Sequence, residues 1–215
     1  MRNSLLPIPS ICFIDANIIF YIEQLKSKDD FLTIIEQVYE SVYIHEEVYQ
    51  ELSIAGQKFV DEKCQANKWV LFEPLQVFKD TYEDYRLMLS EVQSTLIEVD
   101  SRRGKAGSAG TGEIASLAAA YLLNARFICS NDYSIEEVIQ EVPLHIFIDG
   151  DDSQEPVLIT HHRLLDFCKL VVEGGILPRK TVRKFFQIAH IELKTDNRKL
   201  FDERIEEFDQ MIPAI

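Results

Sequence analysis

A chain of 215 residues, 47% hydrophobic and 27% charged, is long enough for one sizeable core and fits one domain with elaborations better than two independent ones. Its 22 Lys and Arg against 36 Asp and Glu leave a formal charge of -14, which argues against a broad non-specific nucleic-acid surface but allows a local basic track beside an acidic metal centre. No apolar run approaches the roughly 20 residues needed to cross a membrane, and MRNSLLPIPS lacks a secretory apolar segment, so a cytoplasmic protein with no membrane partner is expected.

The first element is ICFI, residues 11–14, a short buried strand that runs into a helix over residues 17–25. A second helix is expected over 29–39, where Phe31, Ile34, Ile35 and Val38 form an apolar stripe. Residues 42–44 read as a strand feeding a helix in which Val48 and Leu52 share a face, with Glu46, Glu47 and Glu51 in its first turns near the positive end of its dipole. Between about 56 and 100 the pattern is less regular, with a strand in KWVLFEPL and a helix in TYEDYRLMLSEVQSTL. SRRGKAGSAGTGE then turns small, basic and glycine-rich, the composition of a loop.

A helix over 113–123 is built on Ile114, Leu117, Ala118, Tyr121 and Leu122, and a short strand follows at 127–129. Ser134 and Glu137 have capping-box spacing, so Ser134 is expected to cap the next helix. HIFID at 145–149 is another strand candidate. One helix should end at Gly174 and Gly175 and another begin in TVRKFFQIAHIEL, while the alternating charge of LKTDNRKLFDERIEEFDQMI favours a solvated helix. The chain divides into one domain over 1–180, with an insertion around 56–107, and a C-terminal helical extension of the same domain over 181–215.

Short strands alternating with helices predict a three-layer α/β/α sandwich with a mainly parallel central sheet. Active residues of such sheets gather beyond the carboxyl ends of the strands, where Asp15 and Asp132 both fall. Glu51 and Glu113 can enter the same cleft from helix starts. Close carboxylates repel one another unless protons or cations compensate them, and Mg2+ or Mn2+ suits hard oxygen ligands. Asp15, Glu113 and Asp132 are the expected direct ligands. Glu51 binds a second ion or orients its water; one ion could activate water for attack on phosphorus and a second could stabilise the departing oxygen.

Asn17 is the supporting candidate, completing a hydrogen-bond network to Asp15 or the substrate, and Glu47 is the fallback acid for the position of Glu51. Arg102, Arg103 and Lys105 could contact a phosphate backbone, with Gly110 and Gly112 allowing close approach of main chain. Taken singly, each has an ordinary explanation: Asp15 and Asn17 can cap a helix, Glu51 can be solvated, and the basic loop can be a loop. His45, His161, His162 and His190 fit hydrogen bonding better than catalysis, although ITHHRLLDFC could bring one near the cleft. Cys12, Cys64, Cys129 and Cys168 lack metal-site spacing and read as buried thiols.

With FIDANIIF, VYQEL, GTGEIASLAAA and FICSNDYS in that order, the chain resembles the PIN-domain family of metal-dependent ribonucleases over roughly residues 10 to 180. The four segments match the family's acids at Asp15, Glu51, Glu113 and Asp132, and Asn17 matches its small polar position. The resemblance implies an α/β/α sandwich, Mg2+ or Mn2+, and endoribonuclease cleavage of RNA. It also implies relatives that act as toxins of toxin-antitoxin pairs, held by an inhibitory protein partner and often forming homodimers. The longer chain and the stretch before GTGE depart from that compact toxin pattern. A catalytically silent PIN-like regulatory or binding domain is one alternative. A haloacid-dehalogenase-like phosphatase is another, weakened because FIDAN has asparagine where that chemistry generally needs a second aspartate, and because FIDGDD lies late in the chain.

Overall fold

Four short runs of β-branched and aromatic residues, together with a fifth that carries two histidines, form one parallel sheet. The structure, a computed structural model, describes residues 11–25, 28–104, 110–148 and 153–213. The amino-terminal MRNSLLPIPS, Lys105 and the acids of FIDGDD lie outside the described residues. The strands are β1 (Ile11–Ile14), β2 (Ser41–His45), β3 (Trp69–Phe72), β4 (Phe127–Cys129) and β7 (Thr160–His162). They lie in the order β3-β2-β1-β4-β7, all parallel. A small antiparallel pair, β5 (His145–Ile146) with β6 (Val157–Leu158), stands apart.

Alternation along β1 divides the core into two layers. Cys12 and Ile14 face a cluster with Ile18, Ile22, Ile35, Phe167 and Phe185, whereas Phe13 faces Leu96, Leu117, Ala118 and Val138 on the other side. The first layer is built by α1 (Ala16–Glu23), α2 (Lys28–Val38), α9 (Leu164–Glu173), α10 (Arg179–Ala189) and α12 (Arg198–Met211), with α3 (Glu46–Glu51) and α4 (Ile54–Gln65) at its margin. The second is built by α6 (Tyr82–Arg102), α7 (Thr111–Leu122) and α8 (Ser134–Glu141). Helices on both faces of a parallel sheet make the expected α/β/α sandwich. A single turn, α5 (Pro74–Val77), leads from β3 toward α6.

Several details differ from the sequence expectation. The 56–107 stretch supplies β3, an edge strand of the central sheet, together with the 21-residue α6 that covers one face. HIFID gives only the two-residue β5 in the small antiparallel pair. The pattern around His161 and His162 conceals a strand, because Tyr39 Oη satisfies His162 Nδ1 at 2.9 Å and Ser130 O bonds His161 Nε2 at 2.9 Å. All four cysteines are free thiols, but Cys64 is only half-buried.

The charged carboxyl-terminal segment breaks at Asn197 into α11 (Ile191–Asp196) and α12. Phe201, Ile205 and Phe208 of α12 are spaced on one face and buried, so this helix is not solvated all round. Each fully buried apolar side chain of this size stabilises by roughly 1.5–3 kcal/mol, enough to dock a helix whose outer face is charged. Arg183 completes the join with two 2.7 Å contacts to Asp209, and Arg179 adds a third at 2.6 Å. Among the described residues, no helix is long and apolar enough to cross a membrane.

Candidate active site

The chain leaves β1 toward β2 on one side and reaches β4 on the other, so the sheet order reverses at β1/β4. Backbone groups diverge at such a point and leave a crevice beyond the strand ends. Asp15 follows β1 directly, and its amide donates to Cys129 O at 3.0 Å, tying the two strand ends together. Its Oδ2 accepts from the Asn17 amide at 3.4 Å, so Asp15 does cap α1. It is also only 3% exposed.

Glu113 comes to the same point from the opposite layer. It lies in the first turn of α7, where the Gly110 amide donates to Oε2 at 3.1 Å. Its Oε1 accepts from Asn17 Nδ2 at 3.3 Å and lies 3.2 Å from Ser130 Oγ. Ser130 Oγ is also 3.4 Å from Asp15 Oδ2, and it accepts from the Asp132 amide at 3.2 Å. With one hydroxyl proton, Ser130 can donate to only one of the two carboxyl groups at a time. Asn17 Oδ1 accepts from the Asn131 amide at 3.1 Å, closing the network onto the turn after β4.

Burial pushes the Asp15 carboxyl up to about 6; the charge of Glu51 adds to the rise, while the Ala16 and Asn17 amides and a hydrogen bond with Glu113 oppose it. Burial also raises Glu113, to about 8, and the charges of Asp15 and Asp132 reinforce it. The pair therefore retains a proton near neutral pH. That proton relieves the repulsion between two carboxyl groups that share a dry site.

Asp132 reaches this centre by a different route from the expected one. Its Oδ1 accepts from the Ser134 amide at 2.7 Å, while Ser134 Oγ donates to Asp100 Oδ1 at 2.6 Å. Ser134 is therefore not the cap expected of it: it is the first residue of α8, its amide is satisfied by Asp132 and its hydroxyl by the buried Asp100. Asp132 carries structural work and still bears on Glu113 through its charge.

Glu51 is the last residue of α3 rather than part of its first turns. The positive helix end that favours it belongs to α7: the Gly112 amide donates to Glu51 Oε1 at 3.0 Å. Gly112 is needed there because an added Cβ would stand 2.8 Å from Val48 Cγ2 and 3.0 Å from Glu51 Oε1. Glu47 is engaged elsewhere, its amide donating to His45 Nδ1 and its charge acting on Tyr85. Because Nδ1 accepts, His45 carries its proton on Nε2 and donates it to Tyr85 Oη at 3.0 Å.

The basic residues are less available than their sequence suggests. Arg102 pairs with Glu141 and Glu137, and Arg103 reaches Glu137 at 2.6 Å, so both guanidinium groups are tied to α8. A cleft of about 230 Å³ opens over the acids, lined by Asn17, Tyr21, Glu113, Asn131, Asp132 and Tyr133. Ser130, Asn131, Tyr21 and Tyr133 were not singled out from sequence. Tyr21 was accessible by spacing, lying four residues after Asn17 on α1, and Ser130 and Asn131 by their place beyond β4.

The donor set is hard oxygen, suited to Mg2+ or Mn2+. Among the described residues, no three His, Cys, Asp or Glu side chains are drawn up closely enough to hold a metal ion as placed. Asp15 and Glu113 are in contact, whereas Asp132 and Glu51 each accept a hydrogen bond from an amide. No protein-family model, curated protein or solved structure matches the chain.

Proposed function

We propose that this protein is a divalent-metal-dependent ribonuclease of the PIN-domain type, hydrolysing phosphodiester bonds at the β1/β4 crevice. The observation that carries this reading is the buried Asp15–Glu113 pair, on which the charges of Glu51 and Asp132 also act. So much negative charge in one dry place calls for a cation as well as a proton. Asp15, Glu113 and Asp132 would hold Mg2+ or Mn2+, with Glu51 beside them. The ion supplies Lewis-acid polarisation and a bound water of lowered pKa.

The chain's own residues prepare that chemistry. Glu113 would hold a cation only in its ionised form, because proton and cation compete for the same oxygens. Asn17 and Ser130 fix the carboxyl groups of Asp15 and Glu113 by hydrogen bonds, limiting their rotation before substrate arrives. Without a cation, so acidic a cleft would repel RNA phosphate.

The test is incubation of purified protein with a mixed set of RNAs in EDTA, Mg2+ or Mn2+, repeated with Asp15→Asn and Asp132→Asn. Cleavage should require the cation and fall at least a hundredfold in each variant. Metal-dependent cleavage that survives both substitutions overturns the assignment.

A further inference from the structure

The acidic cleft shares Tyr21, Asn131 and Tyr133 with a second cavity of about 310 Å³, whose far wall is the carboxyl-terminal segment: His190, Leu193, Asp196, Leu200 and Arg204. We propose that this second cavity receives a nucleobase of single-stranded RNA, one of those flanking the phosphodiester presented to the acids. The inference rests on the ribonuclease reading and adds to it a built contact for the substrate.

The walls favour a base over a phosphate. Tyr21 and His190 stack on each other, 17° apart in plane with centroids 6.2 Å apart, and Phe186 packs against His190 at 4.4 Å, so Tyr21, half-buried and lining both cavities, is the ring that offers a base a stacking surface. Asn131 Nδ2 donates to Tyr21 Oη at 3.1 Å and so fixes the phenol. His190 Nδ1 donates to Phe186 O at 2.9 Å, which leaves Nε2 as the acceptor of the neutral ring. Glu192 and Asp196 also line the cavity. Their carboxylates would repel a phosphate but can accept hydrogen bonds from the exocyclic amino groups of bases.

Tyr133 is less suited to stacking, because Arg163 and Arg204 already lie over its ring at 4.9 and 5.0 Å. That arrangement makes it a firm partition between the two cavities. The carboxyl-terminal helices thus become part of the substrate surface. A duplex would not offer a base to this cavity without unstacking it, whereas a single strand does so at low cost.

The test uses short single-stranded oligoribonucleotides, each intact or carrying one abasic position. Binding is measured by fluorescence anisotropy with Ca2+, and cleavage with Mg2+ or Mn2+. One abasic position should weaken binding about tenfold, the order expected for loss of one stacked base, and the remaining positions should matter little. Leu200→Trp, which fills the cavity, and Asp196→Lys, which alters its rim, should each bind intact and abasic strands alike. Cleavage by the wild type with no abasic position affecting binding overturns the base site and leaves the nuclease reading standing. Failure of the wild type to bind or cleave any RNA overturns both.

Discussion

The shared proton of Asp15 and Glu113 makes stability depend on pH in a direction opposite to that of an ordinary salt-bridged acid. Glu113 lies at about 8 in the folded chain against an ordinary value of 4.5. The native state therefore binds the proton more tightly than the unfolded state does. Its contribution is fully present below about 4.5 and is lost as pH rises toward 8, at about 1.4 kcal/mol per pH unit for one group. Over that window the loss amounts to several kcal/mol, a large part of a typical domain's stability. Glu113→Gln is a near isostere of the protonated side chain and removes the titration. Urea unfolding at intervals from pH 5 to 8.5 in EDTA should show wild-type stability falling and the variant's curve flatter, with the two crossing or meeting on the acid side. With Mg2+ or Mn2+ added, wild-type thermal stability should rise more at pH 8 than at pH 6, because the cation displaces the proton; the variant should gain less at both. Parallel curves for wild type and variant in EDTA would refute the buried-pair argument.

His45 predicts the opposite slope: burial lowers it from 6.5 to about 4, so its contribution is present above about 6.5 and is lost as pH falls toward 4, and His45→Asn should flatten the acid limb of the same unfolding series. Gly112→Ala should cost about 1–3 kcal/mol by urea unfolding, since its Cβ meets Val48 at 2.8 Å and α7 must move from α3; the stabilisation by Mg2+ should fall with it. Ser130→Ala leaves the Asp132 amide and both carboxyl groups without the hydroxyl, and should destabilise by about 1–3 kcal/mol. Because the Ser130 bond lowers Glu113, its removal should also extend the stability loss to higher pH.

Asp15, directly after β1, and Asp132, three residues past the end of β4, were legible because a carboxylate so close to the end of a buried apolar run has few places to go except the strand-end crevice. Glu113 was legible through the abrupt change from a glycine-rich loop to an alanine-rich helix. The sandwich followed from alternating elements, but the strand order did not, since periodicity says which face is buried and not which strand is a neighbour. β7 was hidden because its two histidines satisfy partners in Tyr39 and Ser130 that only the fold supplies. The failure of Ser134 to cap α8 was hidden for the same reason: a capping box describes a local bond, and Asp100 on α6 competes for the serine from 34 residues away. In α12 the apolar positions were visible among the charges, yet only docking against α10 turned them into a buried face.

The capping role of Asp15 explains its position but not its acidity. Hydrogen bonds from the Ala16 and Asn17 amides, the latter at 3.4 Å, are within the reach of asparagine or serine, which cap helices about as well. Neither would need a proton when buried 3% exposed beside a glutamate. Glu113 poses the same problem, since the first turn of α7 could be stabilised by an acid turned outward to solvent, whereas this one points inward at Asp15. Both residues thus make the fold less stable as pH rises, Asp15 up to about 6 and Glu113 up to about 8, and the helix-start hydrogen bonds they accept from the Asn17 and Gly110 amides are ones an uncharged acceptor also supplies. On the proposed ribonuclease reading, a cation that binds the ionised pair would supply the compensation, and the crevice opens beside a cavity walled by the carboxyl-terminal helices. On that reading the acids with their cation would meet the phosphate and the neighbouring cavity a base, the two chemistries of a nucleotide chain.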